Sequence, residues 1–479
     1  MMKPLGRVAS FMVLALAVAG CSTAPPKAMK AEDLPNAFTA PMVSGSLQPV
    51  TAAWWKAYSS PELTALIQDA QVGNLDLAAA AARVQQAQAQ AGIAVSALLP
   101  KVALNASADR QGSRAPGSTF NTFGASLGAS YELDFWGLSR DNLRAARLSA
   151  RAAVYGEDVV RLTTDASVAS TYFAVLALRE RITIAKRNVE AARRILAVTK
   201  ARVVDGLSSN LDLAQQSAML AGQEAQIPML EEQEREMRYA LAILLGRAPE
   251  GFDVAARSLE DLSTVPIAPG LPSSLLERRP DIAQVEATLL AAHANLDAAR
   301  AAFLPAIGLT GNGGYTANTL KDLINPSNLA WDAGASLVQT IFDGGKLSSE
   351  RDLAAAQEKE MVADYKKTVL SALSDVETEL GSSESLLDQE RLTTKQVASA
   401  DEAFRISEVQ YREGVIDLLA LLQAQQTLFS SQDQLVQIRL ARLQADVGLY
   451  RALGGGWTVA ADANREALVP IGRKIGWNR

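Results

Sequence analysis

Apolar and polar positions alternate strictly in two stretches of this chain. Val102, Leu104, Ala106 and Ala108 interleave with Ala103, Asn105, Ser107 and Asp109; Leu127, Ala129, Tyr131, Leu133 and Phe135 interleave with Ser126, Gly128, Ser130, Glu132 and Asp134. A period of two predicts β-strands with one apolar face and one small or polar face. The period then changes. From Ser139 to about Val204 there is no proline and little glycine, and Val159, Leu162, Ala166, Ala169, Phe173 and Leu176 follow a three-four spacing. That seam predicts a coiled-coil-like helix. A run of about 66 residues would be roughly 100 Å long, far more than a compact soluble domain needs.

The same order then recurs. Pro100 is matched by Pro305, Phe135-Trp136-Gly137 by Phe342-Asp343-Gly344, Gly206 by Gly414, and Leu245-Gly246 by Leu453-Gly454, at an offset of about 205 to 209 residues. A fixed offset marks an internal duplication. The second copy predicts strands near Ala306 to Ala317 and Trp331 to Phe342, a long helix from about Leu347 to Arg412, and a returning helix from about Asp417 to Leu453. Pro228 lies inside the returning helix of the first copy and should kink or break it. Ahead of the first strand, helical segments run from about Pro61 to Leu99 with a break at Gly73-Asn74, and Pro266, Pro269 and Pro272 mark the junction of the halves. The organisation predicted is a signal segment over 1–20, an extended, lipidated tether over 21–53, a first repeat over 54–265, a second over 266–456 and a tail over 457–479.

Two strand pairs of this kind suit a wall with lipid on one side and water on the other. An antiparallel sheet packed on a soluble domain is the alternative, and the long helices that follow each pair argue against it. Four strands cannot close a membrane barrel, whose smallest examples have about eight, and an open edge in lipid is prohibitive. Other copies of the chain must complete the ring. Two copies would give eight strands and three would give twelve; the pattern alone does not choose.

The N-terminus carries its own signal. Lys3 and Arg7 precede an apolar run from Val8 to Ala19, short of the ~20 residues a spanning helix needs. The run ends Val18-Ala19-Gly20-Cys21, which resembles a bacterial lipoprotein cleavage box and makes Cys21 the candidate for acylation. An ordinary signal peptide with an incidental cysteine is the plainer alternative, disfavoured because the chain's one Cys falls where the box needs it. Composition narrows the functions further. The chain of 479 residues is 48% hydrophobic, only 5% aromatic and 20% charged, with a net charge of -6. No basic stripe calls for nucleic acid. The single histidine, His293, lies in the Ala-rich run LLAAHANLDAAR and reads as a packing or surface residue. Zinc sites and catalytic triads need several partners at set spacings, and no phosphate-binding glycine loop occurs. The enzyme reading therefore starts weak, and neither a cofactor nor a metal is called for.

Several stretches, in order, resemble the TolC-like outer membrane factor family, and particularly its lipidated OprM/NodT-like efflux branch. They are Leu275-Leu276-Glu277-Arg278-Arg279-Pro280-Asp281-Ile282 continuing to Ala299-Arg300-Ala301-Ala302-Phe303-Leu304-Pro305, Trp54-Trp55 ahead of Pro61-Glu62-Leu63, Tyr131-Glu132-Leu133-Asp134, and Ile341-Phe342-Asp343-Gly344-Gly345-Lys346. The resemblance implies a mostly α fold with a membrane β-barrel portion. Three chains would share a twelve-stranded barrel in the outer membrane, continued into the periplasm by an α-barrel with an equatorial girdle. It implies a homotrimer anchored in outer-membrane lipid, with Ser22 after the cysteine offering no inner-membrane retention signal. The partners implied are a periplasmic adaptor and an inner-membrane pump that supplies the energy, and the function a passive exit duct for drugs and other small molecules. Type I protein secretion is the alternative within the class. A periplasmic coiled-coil adaptor lipoprotein is the alternative outside it, disfavoured because adaptors have one helical hairpin and this chain has two.

The resemblance also places a gate. The turns at Gly206 and Gly414 would be the periplasmic tips, where glycine can take the left-handed backbone of a sharp helical reversal. Tyr411, three residues before the second glycine, and Asp212, six after the first, match positions that help latch the family's closed state. The chain departs from the family pattern at Ile416, Ala420 and Gln423, which replace a basic residue and two pore-narrowing acidic ones; Asp417 is the acidic group that could take over part of that role. The plainer alternative makes Asp212 a solvated carboxylate and Tyr411 a surface phenol near a turn.

Overall fold

A computed structural model describes residues 29, 31–40, 50–112, 119–263 and 267–458. Cys21, the signal segment and residues 459–479 of the tail lie outside them.

Helices α1 (Pro61–Gly73) and α2 (Leu75–Ser96) begin the first half. Ser60 accepts from the Leu63 amide at 3.1 Å and Pro61 presets the first turn, where its missing N–H costs nothing. The break at Gly73-Asn74 occurs as expected. Asn74 leaves helical geometry, caps α2 by accepting from the Leu77 amide at 3.0 Å, and donates its own amide to the Leu244 carbonyl at 2.8 Å. Gly73 and Gly246 meet backbone to backbone there, and a Cβ on either would overlap the other segment.

Strands β1 (Lys101–Gln111) and β2 (Phe120–Leu133) come next. Then the chain runs without interruption through α3 (Leu138–Val204) and returns as α4 (Asn210–Leu244). The second half adds α5 (Pro280–Ala301), β3 (Ala306–Ala317), β4 (Leu329–Val338), α6 (Lys346–Arg412) and α7 (Leu418–Ala452). Helices α3 and α6 have 67 residues each, about 100 Å at 1.5 Å per residue. Their returns have 35 each. The duplication extends to the way each long helix starts. Asp134 accepts from the amides of Ser139 and Arg140, and Asp343 accepts from those of Gly345 and Leu347, all at 2.8–3.1 Å. A carboxylate on free N–H groups at a helix start satisfies donors that have no intrahelical partner.

Two expectations need correction. β4 was expected near Trp331 to Phe342, and it spans Leu329–Val338. Its last rung pairs Val338 with Ala306; the next residue of the partner strand is Pro305, which has no N–H to continue the ladder. Ile341 and Phe342 therefore fall outside the sheet. Of the kink or break expected at Pro228, the break does not occur: α4 continues through it. Pro228 is exposed, so water can satisfy the carbonyl that loses its partner.

The four strands form one antiparallel sheet in the order β1-β2-β3-β4, with β1 and β4 as open edges. Near the chain's equator the helices enclose an aromatic core. Tyr58 packs edge-on against Phe173 with ring centres 4.9 Å apart, and Trp54 stacks on Tyr450 at 5.0 Å. Leu34 of the N-terminal segment enters this core, and the Glu377 carboxylate on α6 accepts from the Thr39 hydroxyl and from the amides of Thr39 and Ala40. The stretch expected as an extended tether thus carries a short 3₁₀ turn, Ala31–Asp33, and is tied down beyond it. His293 is a packing residue: its Nδ1 lies 2.6 Å from Glu358, joining α5 to α6.

Candidate functional site

Residues opposite one another on neighbouring strands point to the same face. The register puts Leu104, Leu127, Gly313 and Trp331 in one row across the sheet, and Ala106, Ala125, Tyr315 and Leu329 in another. Between them lies the row Asn105, Ser126, Gly314 and Ala330, and the flanking rows hold Ala103, Gly128, Asn312 and Asp332, or Ser107, Gly124 and Thr316. One face is apolar and the other small and polar. Leu104 and Trp331 are 77% and 79% exposed, so nothing among the described residues covers the apolar face. Such a sheet suits contact with hydrocarbon on one side and water on the other. No helix among the described residues is long and apolar enough to cross a membrane.

About 100 Å of helix away from the sheet, α3 and α6 end in matching turns. Gly206 and Gly414 adopt φ of 74° and 78°, as their type predicts. At the first turn the Leu207 amide donates to the Arg202 carbonyl at 2.7 Å; at the second the Val415 amide donates to the Gln410 carbonyl at 2.8 Å. Ser209 and Asp212 form a reciprocal capping box that starts α4, with bonds of 3.1 and 2.9 Å. Asp417 does the same for α7 by accepting from the Ala420 amide at 2.9 Å. Both acidic residues are therefore helix caps at the tip.

Tyr411 is not a surface phenol. It is 3% exposed, in a small apolar cluster with Ile195, Phe404 and Leu421. Its hydroxyl lies 3.1 Å from Thr199 Oγ1, and Thr199 spends its one proton on the Ile195 carbonyl at 3.0 Å. Tyr411 must then be the donor. The Arg202 guanidinium sits 5.0 Å above the Tyr411 ring and donates to the Tyr411 carbonyl at 2.8 Å. Within one chain Tyr411 and Asp212 do not meet. Thr199 and Arg202 are the tip residues that sequence reasoning missed. A basic residue four positions before Gly206 signals a helix end, but nothing local reveals that it reaches the other hairpin.

A cleft of about 400 Å³ opens beside this cluster, lined by Arg194, Ile195, Val198, Glu408, Tyr411, Arg412 and Leu421. Nearby, Gln425 is fully buried with neither amide atom hydrogen-bonded. At the equator two carboxyls titrate abnormally. Burial pushes Asp165 up to about 6 despite a 3.0 Å bond from Gln71, and Asp446 up to about 6 despite Arg442 and a 3.2 Å bond from Ser383. Among the described residues no cluster of His, Cys, Asp or Glu could hold a metal ion.

Comparison with known proteins accounts for this architecture. The family of outer membrane efflux proteins matches residues 66–247 and 271–455, one match in each half. The pyoverdine export outer membrane protein OpmQ of Pseudomonas aeruginosa is 41% identical over 415 residues, covering 84% of this chain and 87% of that protein. Its namesake from Pseudomonas putida is 39% identical, covering 95% and 98%. The open state of the Neisseria gonorrhoeae MtrE outer membrane channel superposes with a TM-score of 0.82 at 30% identity, covering 91% of this chain and 98% of that one. The two-faced sheet, the doubled hairpins and these matches agree: the chain belongs to the TolC family of outer membrane efflux proteins, and it is the non-catalytic outer-membrane channel component of a tripartite efflux system.

Proposed function

We propose that three copies of the chain close one barrel of twelve strands and continue it as a helical duct across the periplasm. The observation that carries this is the four-stranded sheet with two open edges and one bare apolar face. An edge in hydrocarbon leaves unpaired N–H and C=O groups at several kcal/mol each, so β1 of one copy pairs with β4 of the next. Family membership implies an adaptor protein and an inner-membrane pump as partners. The tips at Gly206 and Gly414 face the periplasm and form the gate, with Asp212, Tyr411 and Asp417 as its residues. Cys21 carries the acyl chains that anchor the mature protein to the outer membrane.

The cargo is small molecules, drugs and siderophores included. Two relatives at 41% and 39% identity are pyoverdine export proteins. Deleting the gene and measuring retention of exported small molecules tests this. Sensitisation to amphipathic compounds, or retention of a siderophore, is the expected result. Unchanged small-molecule export with a secreted protein trapped inside would move the function to type I secretion.

A further inference from the structure

We infer that each seam of the barrel repeats, between two copies of the chain, the strand register that β2 and β3 show within one copy. The seam also carries β4 three residues past its in-chain end at Val338, to Ile341. The inference rests on reading three chains as one barrel; the register itself comes from the duplication. Helices α2 and α5 have 22 residues each and start at Leu75 and Pro280, whereas α3 and α6 have 67 each and start at Leu138 and Lys346. β1 follows α2 as β3 follows α5, so those two strands correspond at an offset of 205. β2 leads into α3 as β4 leads into α6, at an offset of 208. The hairpins agree: the rung of Lys101 with Ser130 at the foot of the first maps onto that of Ala306 with Val338 at the foot of the second.

Within one chain Leu127 pairs with Gly313, Ala129 with Gly311, Tyr131 with Leu309 and Leu133 with Ile307. Carried to the seam, these pairs set Ala335, Leu337, Gln339 and Ile341 of one copy opposite Ala108, Ala106, Leu104 and Val102 of the next. The faces match at this register. Leu337 shares a row with Leu133 and Ile307, and Ala106 shares one with Ala125 and Tyr315, so apolar meets apolar. The offset of 207 at which Phe135 and Phe342 match in the sequence would instead set Leu337 opposite Asn105, turning one copy's apolar face against the next copy's polar one. Exposure marks the missing neighbour. Leu309 is flanked by strands on both sides and is 38% exposed; its counterpart Leu104 has one flanking strand and is 77% exposed. Leu133 is 39% exposed and its counterpart Ile341 is 90% exposed. β2 outlasts its own hairpin by three residues because β3 pairs with Tyr131, Glu132 and Leu133. β4 has no such second neighbour in a single chain, and its backbone bends at Ile341; β1 of the next copy supplies the neighbour.

The test is oxidative thiol cross-linking of the full-length protein in outer-membrane fractions, read as covalent dimers and trimers on non-reducing gels. The parent, whose one cysteine is Cys21, gives the background. Directly opposed residues on neighbouring strands have Cβ atoms about 4.5–5.5 Å apart, whereas residues two positions out of register lie about 7–8 Å apart, too far for a disulfide to form readily. Leu337→Cys combined with Ala106→Cys, and Ile341→Cys combined with Val102→Cys, should therefore cross-link copies about fivefold or more above Leu337→Cys combined with Leu104→Cys or with Ala108→Cys. A shifted pair that cross-links best overturns the register and leaves the shared barrel in place. Cross-linking of Leu337→Cys with Ala106→Cys, but not of Ile341→Cys with Val102→Cys, overturns the extension of β4. No cross-link in any pair overturns the register if the particle has the mass of three chains, and overturns the barrel reading if it has the mass of one. If a double variant fails to reach the outer membrane, Ala335→Cys combined with Ala108→Cys decides at the same register, against Ala335→Cys combined with Ala106→Cys.

Discussion

Thr199 and Tyr411 stand 212 positions apart and share a buried hydrogen bond of 3.1 Å. One belongs to the long helix of the first repeat and the other to that of the second. The bond joins the two halves of a duplicated chain at the far end from the sheet. It also gives the tyrosine a partner other than the one its position in the family implies.

That bond sets the first expectation. Tyr411→Phe removes the donor and leaves Thr199 Oγ1 buried without one, worth about 0.5–1.5 kcal/mol. Combined with Asp212→Ala, which deletes the capping box of α4, it should shift the closed-to-open ratio about two- to tenfold. Planar-bilayer recordings check it through larger or more frequent conductance. Equal conductance in parent and double variant would make both residues structural only.

Lipidation is expected at Cys21. Mass spectrometry of the mature protein should find residue 21 at the N-terminus with acyl mass attached, and Cys21→Ser should leave an unacylated precursor. Channel function should partly survive, because the strands themselves embed the protein. A mature cysteine without acyl mass would refute the anchor.

The pH dependence of stability should carry the mark of Asp446. Burial raises its folded value to about 6, above the roughly 4 of an unfolded Asp. The folded state then holds the proton more tightly, and the contribution of this group to stability falls as pH rises from about 4 to 6. Asp446→Asn should be more stable than the parent at pH 7.5, by about 1–3 kcal/mol, and should lose that advantage near pH 4. Thermal melts at the two pH values decide; a pH-independent difference would mean that folding does not raise the affinity of Asp446 for its proton.

Gln425 offers a change that should help. Its buried amide lacks partners, and exchanging it for an apolar side chain of similar length removes that penalty, about 1–3 kcal/mol. Gln425→Met should raise the melting temperature of the assembled protein. A lower one would mean that the amide has a partner in the assembly.

Much of this fold was legible because it was written twice. Alternation gave the strands, and the proline-free stretches gave both long helices nearly to the residue. Gly206 and Gly414 marked the turns through the backbone they require. The strand end at Val338 was not legible, because the alternation runs on locally while the ladder stops at Pro305, far away in sequence. That the helix would continue past Pro228 was not legible for a related reason: whether a proline breaks a helix depends on which side faces water. At the tip, the positions of Tyr411 and Asp212 came through the family likeness, whereas Thr199 and Arg202 depend on how two distant hairpins pack. A sequence pattern carries periodicity and punctuation; it does not carry the pairing of helix ends.

The central claim is that one chain is a third of a channel wall. Electron-microscopic images of the detergent-extracted full-length protein, with its mass measured in the same sample, test it most directly. The account predicts a hollow, elongated particle with threefold symmetry and the mass of three chains. A compact particle with the mass of one chain, 50.8 kDa in the unprocessed form, would contradict it.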